Sequence, residues 1–197
     1  GKHGRIHRQK YLGDNQPMPV CVVVGIDPLS FLMSSTEIPY GICEYDVMGA
    51  YRGKPTQCVL GKHTGLPFPA NAEIVLEGYV DSSDIRDEGP FGDHTGYYTP
   101  KEPYPTFTLT GIMQRKNPIY LTTVVGKPIL EDAYIGKVIE RSFLPLIQMF
   151  HPEVVDFDMP SAGWFQGMAI ISIKKTYPGQ AKKVMMGLWG MGQLALT

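Results

Sequence analysis

The stretch PVCVVVGIDPLSFLMSS, Pro19–Ser35, joins a strand pattern directly to a helix pattern. Its first part is a short β-branched run that ends in glycine, which is typical of a buried strand. Asp27 then stands where a helix N-cap is expected. Pro28 follows at the first helical position, where a missing N–H has no cost. The stretch therefore predicts a strand at Pro19–Gly25 and a helix from Pro28 to about Ser35.

On either side of this stretch the chain divides by pattern. Up to Val125 it is rich in strand patterns, which predict the following elements: strands Gln57–Lys62, Ala72–Val80, Thr106–Gln114 and Ile119–Val125, the last two as a hairpin pair, and a short helix at Glu44–Tyr51.

From Glu131 apolar residues recur at helical spacing as far as Phe150. Pro145 is expected to kink that helix or to shift its start. Strands Val154–Met159 and Gly167–Lys174 and a helix from about Gly179 follow. The predicted fold class is therefore α+β, with a strand-rich part followed by an α/β segment.

Composition excludes several classes of function. The 197 residues are 43% hydrophobic and 19% charged, as in an ordinary globular domain, and the net charge of -1 argues against a nucleic-acid partner. The three cysteines, Cys21, Cys43 and Cys58, have neither disulfide-framework nor zinc spacing, and free thiols suit a reducing cytoplasm. No apolar run approaches the roughly 18–20 residues of a membrane span.

The stretch EGPFGDHTGYY, Glu88–Tyr98, places an acid at each end of a Gly-Pro-Phe-Gly turn. Glycine and proline define the backbone there, so Glu88 and Asp93 would be held at fixed positions. Carboxylates that lie close together push their pKa values apart, which leaves one of them able to donate a proton near neutral pH. The alternative is an exposed acidic turn in which Asp93 caps a neighbouring N–H.

A second polar pair is formed by His7 and Glu44. An imidazole and a carboxylate are a reasonable ligand set for a divalent metal. The alternative is that each residue lies on the surface, and the spacing alone leaves open whether the two meet.

Taken together, these residues resemble the UbiD family of reversible aromatic-acid decarboxylases, and most closely its 4-hydroxy-3-polyprenylbenzoate decarboxylase branch. Ordered segments along nearly the whole chain carry the resemblance: Pro19–Gly53, Phe68–Val80, Glu88–Tyr98, Arg115–Pro128 and Ser172–Gly190. The resemblance implies an FMN-binding split β-barrel over residues 1–127. Residues 128–197 would begin an α/β C-terminal domain through which family members form homo-oligomers.

The resemblance also implies an activity. Family members use prenylated FMN, a flavin with an extra ring, for the non-oxidative decarboxylation of aromatic acids. Here a 4-hydroxybenzoate-type substrate would be expected, as in ubiquinone or menaquinone biosynthesis. Glu88 corresponds to the first acid of the family's Glu-Arg-Glu/Asp network and would donate the proton to the decarboxylated carbon. Asp93 corresponds to the second acid, as its polar partner or the group that places the substrate carboxylate. A prenylated substrate would permit peripheral membrane association.

The implied metal site binds a divalent ion, usually manganese, through an Asn, a His and a Glu. His7 and Glu44 match the last two. A neighbouring potassium site is implied at the MSST segment, from which Ser34, Ser35 and Thr36 carry over as cofactor-binding residues. The network arginine and the ligand asparagine lie upstream of the matching histidine in the family. We therefore expect the chain to be a central fragment that is inactive alone.

Two other functions remain open at this stage: a flavin reductase-like split-barrel module, and a non-catalytic assembly subunit. The EGPFGD turn favours the decarboxylase, because a hydride-transferring flavoprotein has no need of two loop acids.

Overall fold

The computed structural model describes residues 2–36 and 38–197, which divide into two compact units. One unit runs to Pro90 and resumes at Pro100–Thr122. The other unit comprises Phe91–Thr99 and Thr123–Thr197. The acidic stretch Glu88–Tyr98 is therefore shared between the two units.

The first unit contains three helices and five strands among the described residues. In chain order they are α1 (Lys2–Gly13), β1 (Met18–Val24), α2 (Pro28–Ser35), α3 (Glu44–Arg52), β2 (Cys58–Leu60), β3 (Pro67–Pro69), β4 (Ile74–Glu88) and β5 (Glu102–Gln114). Strands β1, β4 and β5 form an antiparallel sheet in the order β1-β4-β5, and β2 pairs with β3 in a separate sheet. The described strands do not close into a barrel, so the expected split barrel is not confirmed.

The strand and helix predicted from the opening stretch are confirmed. Helix α2 begins at Pro28, and the Asp27 side chain accepts a hydrogen bond from the Ser30 N–H at 3.2 Å. That bond satisfies one of the free N–H groups of the first turn. Met33 of α2 and Met48 of α3 are buried in one apolar cluster, so the two helices pack together.

The predicted hairpin between Thr106–Gln114 and Ile119–Val125 is wrong. Strand β5 pairs with β4 along its whole length, and residues 119–125 form no strand. Pro118 has no N–H to offer a ladder. The N–H of Ile119 instead donates to the Glu73 carboxylate at 3.0 Å, so a side chain and not a sheet ladder binds this segment.

The second unit contains two α-helices and two strands among its described residues, with two short 3₁₀ turns. In chain order they are α4 (Glu131–Phe150), β6 (Val154–Asp158), the turn Ser161–Gly163, β7 (Ile170–Ile173), α5 (Gln180–Trp189) and the turn Gly192–Leu196. Strands β6 and β7 are antiparallel. Helix α4 starts at the predicted residue and continues through Pro145, which therefore does not shift its start.

The core of the second unit lies between α4, α5 and the β6–β7 sheet. Its buried residues include Ile147, Val154, Phe157, Val184 and Leu188. The buried Glu140 carboxylate accepts from the Met159 N–H and pairs with Lys137, which binds α4 to the end of β6. No helix in the described part of the chain has the length and apolar character needed to cross a membrane.

Candidate active site

Glu88 lies at the end of a strand in the first unit. It is the last residue of β4, is exposed, and has Glu102 of β5 as its partner across the sheet. The Tyr104 hydroxyl donates to the Glu102 carboxylate at 3.1 Å. Glu102, and to a smaller extent Glu88, raise the pKa of this hydroxyl. This end of the sheet therefore brings two acids and a phenol together.

Asp93 lies in the second unit, on a small loop that closes on itself. The Thr99 N–H donates to the Phe91 carbonyl at 2.9 Å, and the Asp93 N–H donates to the Tyr97 carbonyl at 3.1 Å. Gly96 occupies the turn at φ +85° and donates to the Asp93 carbonyl. This conformation strongly favours glycine. The predicted turn is thus present as a hydrogen-bonded loop.

The Asp93 carboxylate is held by the next residue. Its Oδ1 accepts from the His94 backbone N–H at 2.8 Å and lies 2.9 Å from His94 Nδ1. The backbone bond is the larger reason that the pKa of Asp93 is lowered, with the imidazole contributing further. The capping role that the alternative reading gave to Asp93 is therefore observed, although the side chain is half-buried.

The same imidazole approaches a second acid. His94 Nδ1 lies 3.6 Å from Asp132 Oδ2 in the first turn of α4, and the ring packs on Phe165 at 5.8 Å between centroids. Burial, and then the charge of Glu131, raise the pKa of Asp132. Sequence reasoning did not find this cluster. Adjacency to Asp93 was the only signal for His94, and Asp132 is brought close by the fold alone.

Glu88 and Asp93 thus lie in different units. Their convergence on one cavity and their catalytic roles remain predictions.

His7 lies on the exposed side of α1, beside an aromatic ring. Its imidazole is 6.0 Å from the Tyr40 ring centroid, and His3, one helical turn earlier, is 5.3 Å from the same ring. Lys10 Nζ lies 5.5 Å from that centroid. The i, i+4 spacing of the two histidines is the signal that places His3 on the same face, and sequence reasoning had not used it.

Glu44 is the first residue of α3 and is exposed, four positions after Tyr40. Within residues 2–36 and 38–197, no three or more His, Cys, Asp or Glu side chains are grouped so as to hold a metal ion. The assignment of His7 and Glu44 as metal ligands therefore stays a prediction.

The three hydroxyl residues predicted to bind the cofactor or potassium end helix α2. Ser34 donates to the Phe31 carbonyl at 2.7 Å. Ser35 and Thr36 donate to the Leu32 carbonyl at 2.9 and 2.8 Å. Each hydroxyl proton is therefore directed into the helix. The oxygen lone pairs remain for a cation or an N–H donor, and that role is still a prediction.

Sequence models of protein families identify both parts of the chain. Residues 1–128 match the 3-octaprenyl-4-hydroxybenzoate carboxy-lyase Rift-related domain, UbiD. Residues 133–197 match the C-terminal domain of the same carboxy-lyase, UbiD_C.

Known proteins agree with this match. An uncharacterised protein of Archaeoglobus fulgidus is 51% identical over 197 residues, which are 100% of this chain and 41% of that protein. The chain spans about 40% of the length of the curated relatives it matches.

Two solved structures show the likeness in three dimensions. An evolved dimeric form of the UbiD-class enzyme HmfF from Pelotomaculum thermopropionicum, in complex with prFMN, is 27% identical with a TM-score of 0.84, over 92% of this chain and 42% of that one. The closed form of Sedimentibacter hydroxybenzoicus vanillic acid decarboxylase is 29% identical with a TM-score of 0.86, over 97% and 40%. Because the two family models together cover nearly all of its residues, the chain belongs to the UbiD family of 3-octaprenyl-4-hydroxybenzoate carboxy-lyases.

Proposed function

We propose that the protein carrying this chain catalyses the non-oxidative, reversible decarboxylation of a 4-hydroxybenzoate-type aromatic acid with prenylated FMN. The proposal rests on the Asp93 loop of a chain that belongs to the UbiD family. In this loop the backbone N–H and the imidazole of His94 hold the half-buried Asp93 carboxylate in its charged form. The complex of HmfF with prFMN supports the cofactor, and the vanillic acid decarboxylase supports an aromatic acid as substrate.

The two acids take different roles because their surroundings differ. Each turnover consumes a proton, since a carboxylate becomes CO₂ and a C–H bond. Hydrogen bonds lower the pKa of Asp93, so at neutral pH it is an anion that accepts hydrogen bonds and has no proton to donate. Glu88 is the proposed proton donor to the decarboxylated carbon because it corresponds to the first acid of the family's network, and Asp93 orients it or places the substrate carboxylate. When bound, the prenylated flavin supplies the electron sink for the electron pair left by CO₂.

The imidazole and carboxylate side chains of the first unit suit a divalent ion. The proposed manganese ligands are His7 and Glu44, and His3 lies beside His7 on the same helix face. The cofactor phosphate would share that ion. Ser34, Ser35 and Thr36 would contribute oxygen ligands to a potassium ion or the cofactor. Hard cations prefer such oxygens.

We also propose that the β1-β4-β5 sheet forms part of the flavin-binding split barrel of the whole protein. Residues from 128 onward would begin a domain that forms homo-oligomers, which the dimeric HmfF supports. The free thiols of the chain favour a cytoplasmic location. A polyprenylated substrate would add peripheral contact with a membrane.

The proposal is tested with the protein that carries this chain, loaded with prenylated FMN and supplied with 4-hydroxybenzoates. Glu88→Gln is expected to lower CO₂ release at least about a hundredfold, because a positioned proton donor contributes that much or more. Glu102→Gln is the matched control, since Glu102 is also exposed and lies directly across the sheet. Oxidation of NADH or NADPH by the wild-type protein without CO₂ release would instead support a flavin reductase.

A further inference from the structure

One ring nitrogen serves two carboxylates in the second unit. His94 Nδ1 lies 2.9 Å from Asp93 Oδ1 and 3.6 Å from Asp132 Oδ2. A ring nitrogen carries at most one proton, so its N–H forms one short hydrogen bond at a time. Asp93 holds that bond in this structure, and Asp132 is the second acceptor.

Both bonds to Asp93 reach the same oxygen. The His94 backbone N–H and the imidazole Nδ1 each meet Oδ1. Both donors meet Oδ1, so Oδ2 is the carboxylate oxygen that neither of them binds. His94 therefore determines which of the two oxygens is left for another partner.

The surroundings of the imidazole select its tautomer. The hydrogen bonds that the ring nitrogens make determine which of them carries the proton. Two carboxylates, Asp93 from the loop and Asp132 from α4, face Nδ1. Phe165 packs against the ring and does not titrate, and Glu131 of α4 adds negative charge near Asp132. This environment favours a protonated Nδ1.

We propose that His94 is the positioning residue of the acid loop, which leaves Asp93 Oδ2 for the reaction, and that Asp93 and Asp132 together keep its Nδ1 protonated. This inference rests on the proposed decarboxylation. The role is distinct from that of Glu88, because His94 acts through Asp93 and does not itself exchange a proton with the substrate.

The two carboxylates that share the nitrogen respond oppositely to acid. The pKa of Asp93 is lowered and that of Asp132 is raised. As the pH falls, Asp132 is therefore the first of the two to take up a proton, and it then ceases to compete for the imidazole N–H. Asp93 therefore keeps the hydrogen bond from His94 Nδ1 over the pH range in which its own carboxylate must remain charged.

The substitutions that test this exploit the shapes of two amides. An asparagine amide lies near the position of Nδ1, whereas a glutamine amide reaches toward Nε2. His94→Gln is expected to lower kcat by roughly ten- to a hundredfold, as a misplaced catalytic group does, and to move the acid limb of the kcat profile to higher pH. His94→Asn should restore much of both. Equal losses in the two variants, at equal flavin content, would overturn the proposal.

A second readout does not depend on activity. In the protein with ¹⁵N-ring-labelled histidine, the His94 resonances are assigned by their loss in His94→Gln. We expect Nδ1 to be protonated in the wild type and the Nε2–H tautomer to gain in an Asp93→Ala/Asp132→Ala variant. A wild-type Nε2–H tautomer would overturn the role given to these two carboxylates. If no substrate is decarboxylated at all, the proposed function fails, while the tautomer measurement still decides whether His94 is held as described.

Discussion

Arg52, in the last turn of α3, forms an ion pair with Asp27, the residue that caps α2. The same carboxylate accepts from the Asn71 amide at 3.1 Å and from the Ser30 hydroxyl at 2.6 Å. Burial alone would raise the pKa of Asp27, but bonds from Ser30, Asn71 and Arg52 outweigh it and hold the pKa well below its usual range. One carboxylate thus connects the start of α2, the end of α3 and the turn before β4.

This connection fixes the segments to which the cofactor roles were assigned. The hydroxyl segment Ser34–Thr36 ends α2, and Glu44 begins α3. Met33 and Met48 lie in one buried apolar cluster, which also holds these two helices together. The distance between the predicted ligands is therefore set by residues that bind no ligand themselves.

Two substitutions of Asp27 are expected to separate the cap from the ion pair. Asp27→Asn keeps an oxygen for the Ser30 N–H but loses the charge that faces Arg52, whereas Asp27→Ala loses both. The free energy of unfolding should fall by about 1 kcal/mol for the first and by about 2 kcal/mol or more for the second. Denaturation in urea measures the difference. Equal losses would show that the cap contributes nothing beyond the ion pair.

Glu77 of β4 organises the loop between β2 and β3. Its side chain is fully buried and accepts from the N–H groups of Lys62, His63 and Thr64 at 3.0–3.1 Å and from the Thr64 hydroxyl at 2.8 Å. Burial would raise its pKa, but the bonds from Thr64, then His63 and Lys62, outweigh it and lower the pKa. Gly61 lies so close that a Cβ there would meet the carboxylate.

Glu77→Gln is expected to lower the free energy of unfolding by about 1–3 kcal/mol, because an amide cannot accept from all these donors. A lowered folded pKa also makes stability depend on pH. The contribution is complete above the unfolded pKa of Glu, about 4.3, and is lost as the pH falls through the lower folded value. The free energies of unfolding of the wild type and the variant should therefore converge as the pH falls from about 6 to about 3. Glu102→Gln is the control, because that carboxylate is exposed. Its free energy of unfolding should follow that of the wild type over the same pH range.

Sequence patterns predicted those helices and strands that are determined by residues close together in the chain. The Asp27-Pro28 pair marks the start of α2, because capping depends only on neighbouring residues. The apolar spacing from Glu131 likewise marks α4. Strand β4 extends past Val80, where the predicted strand ended, to Glu88. Both faces of that end are largely exposed, so the sequence there shows no alternation of apolar and polar residues. Its pairing with β5 is what makes it a strand.

The sequence predicted those parts of the candidate site whose residues are neighbours along the chain. Asp93 and its turn are visible in EGPFGDHTGYY, and the fold adds Asp132 from a helix far along the chain. His3 was missed although it shares a helix face with His7. Tertiary proximity leaves no trace in one sequence, so Asp132 required coordinates, whereas the i, i+4 spacing of His3 and His7 is visible in the sequence.

Asp93 is expected to act as a carboxylate. Asp93→Asn should reduce CO₂ release by roughly a hundredfold or more, while Asp93→Glu should retain part of it, because the charge is kept and only its position changes. His94 lowers the pKa of Asp93, so wild-type activity should persist as the pH falls toward the usual Asp value of about 3.9, provided the protein stays folded. Rates measured from pH 7 downward check this. Asp87→Asn, at an exposed Lys101 pair, is the control.

Metal content is expected to depend on Glu44 and on the imidazoles of α1. Glu44→Gln should lose manganese after dialysis, because the carboxylate is a proposed ligand, whereas Asp46→Asn, in the same first turn of α3, should retain it. His7→Gln is expected to lower the metal content, and His3→Gln is the comparison on the same helix face. Elemental analysis of each purified variant measures the ion directly. Loss in His3→Gln alone would transfer the ligand role from His7 to His3, and full retention in the double histidine variant would remove α1 from the metal site altogether.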